Sequence, residues 1–208
     1  MTPGGSDNVE KMFNGIETAG KRILDIGCGL GGQAFEMANT FGADVVGIDL
    51  EAPLIKRATE AATKMGLQDR CKFRIVKAGA LDFPDQSFDI VATSGAITQV
   101  SDKAKIFGEC YRVLKPGGYL TCYDWTKSEE PLSEDMFYWF KMEGLTYALE
   151  TLDEYKVHLE KIGYIDVIIK DASDWYLNQV RREYELIKGS LYPRSEERRV
   201  GKECRSRW

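Results

Sequence analysis

The chain has 208 residues, of which 43% are hydrophobic and 29% charged, and its formal net charge of −5 makes a nucleic-acid backbone an unfavourable partner. No stretch approaches the roughly 18 consecutive apolar residues of a membrane span, and the N-terminus lacks a signal-peptide pattern, so we expect a cytoplasmic protein without a membrane partner. The five cysteines form no C-x-x-C pair and there is a single histidine, so neither a disulfide framework nor a metal site is predicted.

The first predicted unit is a strand that runs into a glycine-rich loop and then a helix. Residues 22–27 form an apolar run typical of a buried parallel strand, and apolar side chains recur at helical spacing over residues 31–41. Glycine lets the backbone of such a loop approach a ligand closely, because it has no Cβ and accepts positive φ. A nucleotide-type cofactor is therefore predicted over the loop, with contacts at Gly27, Gly29 and Gly31.

One carboxylate helps to decide which cofactor binds the loop. Gly27, Gly29 and Gly32 also satisfy the G-x-G-x-x-G pattern of dinucleotide-binding enzymes. Asp25, however, lies two residues before the first glycine, where it would repel a pyrophosphate and attract a cationic amino-acid group. S-adenosylmethionine has an ammonium, a sulfonium and a ribose but no phosphate. It is the favoured cofactor, and a nicotinamide dinucleotide is the alternative.

The second predicted strand, residues 43–50, also ends near an acid. Asp49 lies 22 residues after Gly27, about where a carboxylate that binds a ribose is expected. Such a carboxylate can accept hydrogen bonds from both ribose hydroxyls. We predict that Asp49 and the adjacent Leu50 contact the cofactor.

The elements that follow continue the alternation of strands and helices. They are predicted as helix 52–65, strand 71–78, strand 88–95, helix 102–114 and strand 118–125. This order predicts an α/β fold of the Rossmann-like, doubly wound type, with a mostly parallel sheet and helices on both faces. Ligands of such sheets bind at the carboxyl ends of the strands, where Asp25 and Asp49 are expected.

The rest of the chain has an aromatic segment that suggests a cation-binding surface. The predicted elements are helix 133–147, helix 151–162, strand 165–172 and helix 174–189. A cation over an aromatic ring gains about 0.5–2 kcal/mol. We therefore predict substrate contacts at Trp125, Tyr138 and Tyr147, while Asp124 could hold or deprotonate an amine.

Three segments together resemble the class I S-adenosylmethionine-dependent methyltransferases. They are the glycine loop with its strand, the FPDQSFDIV stretch at residues 83–91 and the YRVLKPGGYL stretch at residues 111–120. The resemblance covers roughly residues 21–172. It implies that the adenine lies over Gly79, Ala80 and Leu81, and that Ser94 lines the floor beneath the sulfonium.

Within that class, the second half resembles the phosphoethanolamine N-methyltransferase group and its small-amine relatives. The resemblance implies methyl transfer to the nitrogen of a small amine, such as ethanolamine phosphate or a glycine-type amino acid. The chain has Gln99 where the group has a catalytic histidine, and Leu145 near the position of a phosphate-binding arginine. Gln99 and Asp124 are the predicted catalytic residues. The segments that carry the resemblance are residues 96–100, 123–125 and 172–177 and the helix containing Tyr155.

The two chain ends set the expected domain bounds. Residues 1–5 resemble the segment that follows a lid helix in many small-amine methyltransferases, and residues 194–208 resemble translated vector sequence. We expect one methyltransferase domain over residues 1–193, N-terminally truncated, with a helical insertion at 126–148 and without the last strand of the fold. Residues 194–208 are expected to be a non-native or disordered tail, and the protein a monomer or weak homodimer.

Two other functions stay open at this point. The chain could bind the cofactor without turnover, because the lid, the histidine and the final strand are all predicted to be missing. It could also transfer the methyl group to oxygen or sulfur, since Gln99 lacks the acid–base capacity of a histidine.

Overall fold

Five parallel strands form the centre of the fold. The computed structural model describes residues 5–190, and the chain divides into one unit up to Ile169 and a second from Lys170. The sheet lies in the first unit in the order β3-β2-β1-β4-β5, with all neighbouring strands parallel. This confirms the predicted Rossmann-like fold, and it puts the reversal of strand order beside β1. The strands are β1 Arg22–Ile26, β2 Asp44–Asp49, β3 Cys71–Ile75, β4 Phe88–Ser94 and β5 Leu114–Tyr123.

Helices connect these strands and cover both faces of the sheet, as expected for right-handed crossovers. Several have clear end signals, such as the capping box in which the Thr151 hydroxyl accepts from the Glu154 N–H and the Glu154 carboxylate accepts from the Thr151 N–H. The helices are α1 Gly5–Met12, α2 Gly32–Asn39, α3 Ala52–Lys64, α4 Lys103–Val113, α5 Glu134–Glu143, α6 Leu152–Ile162 and, in the second unit, α7 Ser173–Ser190.

The two faces of the sheet have separate hydrophobic cores. Ile23 belongs to a cluster with side chains of α1, α2 and α3, whereas the next residue, Leu24, belongs to a cluster with α4 and α6. Successive side chains of a strand point to opposite faces. Asp25, which pairs with Gly47 and Ala92 in the neighbouring strands, therefore lies on the same face as Ile23, under α1 and α2.

The structure differs from the sequence-based expectation at several elements. The third strand ends at Ile75 rather than at residue 78, and the fifth runs over Leu114–Tyr123 rather than 118–125. The predicted strand 165–172 is wrong: no strand forms there, and Ile165 and Ile168 are 84% and 76% exposed. The aromatic helix ends at Glu143 rather than at residue 147, because Gly144 adopts φ 68° and caps it. The helix α1 was not predicted, since most of its residues are polar. The expectations for residues 1–4 and 194–208 lie outside the described residues.

Two negative findings hold for residues 5–190. None of their helices is both long enough and apolar enough to cross a membrane. Nor does this part of the chain bring together three or more His, Cys, Asp or Glu side chains in a group that could hold a metal ion.

Candidate functional site

The glycine loop leaves the sheet directly after β1. The Gly27 N–H donates to the Ile48 carbonyl at 2.9 Å, which fastens the start of the loop to β2. Gly27, Gly29 and Gly31 have positive φ values of 73°, 53° and 82°. A Cβ on Gly27 would lie 2.4 Å from the Ala96 Cβ, whereas one on Gly29 would meet open space. The loop is thus closed against protein at Gly27 and open to a ligand at Gly29.

Asp49, at the carboxyl end of β2, holds the loop in place. Its Oδ2 accepts a hydrogen bond from the Gly29 N–H at 2.8 Å, and its Oδ1 accepts one from the Glu51 N–H at 3.0 Å. Each carboxylate oxygen has a second lone pair, so Asp49 can also accept hydrogen bonds from hydroxyls. The adjacent Leu50 is 54% exposed and provides apolar surface beside this acid.

Asp25 has the opposite environment. It is 1% exposed, and its Oδ2 has no hydrogen-bond partner among the described residues. Burial, with a smaller contribution from the charge of Asp49, raises the pKa of Asp25 to about 7. A buried acceptor without a donor is costly, so this site is suited to a ligand that brings hydrogen-bond donors and positive charge.

The loop between β3 and β4 is held by an ion pair. Gly79 and Ala80 are exposed, while Leu81 is buried and its N–H donates to Glu109 Oε2 at 2.7 Å. Arg112 donates to the Leu81 carbonyl at 2.8 Å and to Glu109 at 2.8 Å. The hydrogen bond from Arg112 also lowers the pKa of Glu109. The Leu81 N–H is already hydrogen-bonded to Glu109, so it is not available to a ligand. The backbone of Gly79 and Ala80 is exposed and remains available.

The end of β4 carries two further predicted site residues. Ser94 is the last residue of the strand, so it lies at the same edge of the sheet as Asp25 and Asp49. Its hydroxyl accepts a hydrogen bond from the Asn8 amide at 3.4 Å. Gln99 ends the short 3₁₀ turn Ile97–Gln99 that follows, and its side chain is exposed.

Asp124 follows β5 and is bonded to α6. The Tyr155 hydroxyl donates to its Oδ2 at 2.7 Å, while its Oδ1 is buried and meets no donor in good geometry within residues 5–190. Lys103, 1% exposed, donates to the carbonyls of Val100 and Ala148, and its Nζ lies 5.6 Å from the centroid of the Tyr155 ring. Burial raises the pKa of Asp124 to about 6, and the Tyr155 hydrogen bond and the Lys103 charge limit the rise. Asp124 is therefore largely ionised at neutral pH.

Aromatic rings cluster next to Asp124. Trp125 and Tyr147 both contact the ring of Trp139, with centroid distances of 5.5 and 5.1 Å. Phe140 stacks on Tyr147 at 4.5 Å. Tyr138 lies outside this cluster and is 65% exposed. The structure thus brings the predicted residues Trp125 and Tyr147 together, and it leaves Tyr138 apart from them.

Two buried polar residues of this region were missed in the sequence. Asn8 and Lys103 are 3% and 1% exposed, although each stands in a polar stretch that reads as surface. For Lys103 a signal existed, because it precedes Ile106 by three residues and Phe107 by four and so continues the buried face of α4. Asn8 has no comparable pattern around it.

The chain matches a family model described as a methyltransferase domain, over residues 17–181. A curated relative, phosphoethanolamine N-methyltransferase 3 of Arabidopsis thaliana, is 31% identical over 188 residues, which cover 90% of this chain and 38% of the relative. Phosphoethanolamine N-methyltransferase of Plasmodium falciparum is 30% identical over 190 residues, covering 90% of this chain and 70% of that protein. The chain therefore spans little more than a third of the length of the first of these relatives.

A solved structure shares the fold closely. Phosphoethanolamine N-methyltransferase 2 of Haemonchus contortus, in complex with phosphomonomethylethanolamine and S-adenosylhomocysteine, superposes with a TM-score of 0.87 at 27% identity. The match covers 97% of this chain and 46% of that one.

Proposed function

This chain belongs to the methyltransferase domain family, and from that premise we propose that it is an S-adenosylmethionine-dependent enzyme that methylates the nitrogen of a small amine. The proposed acceptors are ethanolamine phosphate or a glycine-type amino acid. The observation that carries the proposal is the pairing of a partly buried, largely ionised carboxylate, Asp124, with the aromatic cluster that begins at Trp125.

The cofactor, when bound, supplies a methyl group that is already electrophilic on a sulfonium. We propose that Asp25 binds its ammonium group, because the Asp25 carboxylate is buried and has an oxygen without a donor. We propose that Asp49 binds its ribose hydroxyls, because the Asp49 oxygens keep free lone pairs beside their backbone hydrogen bonds. The open backbone of Gly29 admits the ligand. The remaining proposed contacts are Gly27 and Gly31 in the loop, Leu50, Gly79, Ala80 and Leu81 around the adenine, and Ser94 near the sulfonium.

The proposed acceptor site supports an amine by charge and by ring faces. A small ammonium group gains about 0.5–2 kcal/mol over a ring such as that of Trp125 or Tyr147. Methylation increases the size of the cation without removing its charge, so the same rings suit substrate and product. Tyr138 is included as a proposed contact only for an acceptor that extends towards the exposed side of α5.

The residues near the acceptor would mainly position it and accept a proton. An amine attacks through its lone pair, so its ammonium form must first lose a proton. Asp124, with a pKa of about 6, can accept that proton at neutral pH and hold the amine by a charged hydrogen bond. Gln99 can orient the amine through its amide, but an amide does not act as an acid or a base near neutral pH.

The proposed acceptors include a phosphorylated and an unphosphorylated amine. The Haemonchus contortus structure holds a phosphorylated amine. Here Leu145, which is 43% exposed, stands near the position for which the family resemblance implies an arginine. A glycine-type amine needs no phosphate-binding arginine, so we propose it as an acceptor together with ethanolamine phosphate.

The proposal is tested by incubating the chain with S-adenosylmethionine and a panel of acceptors, followed by mass identification of the product. The panel contains ethanolamine phosphate, its monomethyl form, glycine and sarcosine, with a phenol and a thiol as oxygen and sulfur acceptors. We expect a methylated nitrogen in at least one amine, and loss of that product in Asp124→Asn. The exposed Asp153→Asn is the matched control and should keep full turnover.

Other outcomes would contradict the proposal in different ways. Methylation of the phenol or thiol alone would replace the amine with an oxygen or sulfur acceptor. Binding of S-adenosylhomocysteine without any methylated product would favour a chain that holds the cofactor without turnover.

A further inference from the structure

A buried asparagine on α1 lies at the same edge of the sheet as the glycine loop. Asn8 is 3% exposed, and the nearby Val9 and Phe13 pack into the hydrophobic cluster of that face. The Thr121 hydroxyl donates to the Met12 carbonyl at 2.8 Å, which fastens the end of α1 to β5. The helix is therefore anchored to the sheet and holds Asn8 in a defined position.

The two ends of the Asn8 amide have different surroundings. Its Nδ2 donates to Ser94 Oγ at 3.4 Å and to the Met12 sulfur at 3.8 Å. A thioether sulfur can only accept, and this orients the NH₂ group towards Met12. The Oδ1 atom is buried and has no hydrogen-bond partner among the described residues. It is an acceptor that a ligand could satisfy.

Asn8 and Asp25 share one face of the sheet. Ser94 and Ala92 point to the same face because they are two residues apart in β4, and Ala92 pairs with Asp25 of β1. Asn8, which is bonded to Ser94, is therefore on the face that Asp25 occupies, at the carboxyl end of the strands. Each of the two side chains has a buried oxygen acceptor without a donor, Oδ1 in Asn8 and Oδ2 in Asp25.

We propose that Asn8 is a cofactor-binding residue whose side-chain carbonyl accepts a hydrogen bond from the α-ammonium of S-adenosylmethionine, beside Asp25. An ammonium has three N–H donors and a positive charge, so it can satisfy a neutral and an ionised acceptor together. The other groups at the methionine end do not fit, since the carboxylate only accepts and the sulfonium has no N–H or O–H. The inference rests on the cofactor from which the proposed function also starts, and it is independent of the methyl acceptor.

Two ligands separate this role from a purely structural one. S-adenosylhomocysteine and 5′-methylthioadenosine share the adenosine and the thioether, but only the first carries the ammonium. Their dissociation constants are measured by calorimetry for the wild-type chain, Asn8→Leu, Asn8→Asp and Asn14→Leu. Asn14 is exposed and serves as the matched control.

Asn8→Leu should weaken binding of S-adenosylhomocysteine about tenfold, the effect of losing a hydrogen bond to a charged group, and leave methylthioadenosine unchanged. Asn8→Asp keeps an acceptor and should recover most of the lost affinity. Asn14→Leu should change neither constant. The Tm of Asn8→Leu without ligand should change little, because the substitution removes an unpartnered buried carbonyl together with the long hydrogen bonds to Ser94 and Met12.

Three results would overturn the inference: an unchanged constant for S-adenosylhomocysteine in Asn8→Leu, equal losses for both ligands, or an Asn8→Asp chain as weak as Asn8→Leu. If Asn8→Leu selectively weakened S-adenosylhomocysteine but the wild-type chain methylated no amine, only the proposed function would be overturned. No binding of S-adenosylhomocysteine by the wild-type chain would overturn both.

Discussion

Asp25 and Asp49 lie at one edge of the sheet, but their environments suit different tasks. Asp49 accepts hydrogen bonds from two backbone N–H groups and so anchors the loop. Asp25 is buried with an unpartnered oxygen, and burial raises its pKa to about 7. A cation bound beside Asp25 would favour its ionised form and bring that pKa back down.

Cofactor affinity should therefore depend on pH through Asp25. Above pH 7 the free chain already holds Asp25 ionised, so binding a cation releases no proton. Below pH 7 the proton must first leave, and the dissociation constant of S-adenosylhomocysteine should rise towards about tenfold for each pH unit. Calorimetry from pH 8 to 5.5 measures this slope.

The control for that titration is Asp25→Asn. Its affinity should be lower at pH 8 and nearly independent of pH over the same range. A slope that persists in this variant would assign the titration to another group.

The hydroxyl of Tyr155 should tune Asp124. It donates to the Asp124 carboxylate, which favours the ionised form. Tyr155→Phe removes this bond and should raise the pKa of Asp124 above about 6, moving the acid limb of kcat/KM for the amine upward by about one pH unit. The Lys103 charge remains in both proteins, so ionisation is weakened rather than abolished.

A second tyrosine, which is partly buried, gives the comparison. The Tyr164 hydroxyl donates to the Phe107 carbonyl at 3.1 Å, so Tyr164→Phe should lose similar stability without moving the acid limb. If both variants shift the limb equally, Tyr155 does not act through Asp124.

Sequence patterns predicted the acids at strand ends better than the polar residues around them. Asp25 and Asp49 were predictable because each terminates an apolar run next to glycine or a helix start. The burial of Asn8 was not predictable, since it depends on tertiary contacts made by α1. Lys103 had a signal in its helical spacing to Ile106 and Phe107, but its contact with the segment that contains Ala148 has no local pattern.

At the scale of elements, the glycine loop separates folding from binding at two neighbouring positions. A Cβ on Gly27 would collide with Ala96 at 2.4 Å, whereas one on Gly29 would project into open space. Gly27→Ala should therefore destabilise the fold, beyond the roughly 1–2 kcal/mol of an unfavourable positive φ. Gly29→Ala should lower stability only by that strain. It should also weaken the binding of S-adenosylhomocysteine, because the added methyl group obstructs the ligand.

Denaturant unfolding and calorimetry on both variants check this contrast. If the two variants lost equal stability and equal affinity, Gly27 would not be specific to folding nor Gly29 to ligand binding.

The strand predictions that were wrong failed because strand pairing, and not the local propensity for extended structure, decided where strands form. Residues 165–169 include three isoleucines and a valine, a composition typical of a strand, yet none of the strands in the described part of the chain pairs with them and Ile165 is 84% exposed. The start of β5 shows the reverse. Lys115, Pro116 and Gly117 look like a turn, but the strand begins at Leu114, which pairs with Phe88 before an irregularity shifts the register.

At the scale of the whole molecule, the order of elements was enough to predict the sheet, because alternation and right-handed crossovers leave few topologies. The acceptor could not be predicted in the same way. It depends on rings and carboxylates such as Trp139, Tyr147 and Asp124, which come from three separate segments and meet only in the folded chain.

Binding of S-adenosylmethionine at the carboxyl edge beside β1, through Asp25, can be measured by calorimetry at pH 8 with S-adenosylhomocysteine and with NAD, on the wild-type chain and Asp25→Asn. We expect the wild-type chain to bind S-adenosylhomocysteine and not NAD, and Asp25→Asn to lose at least about 1 kcal/mol of that affinity. Equal affinity in the two chains, or binding of NAD by the wild-type chain, would contradict this expectation.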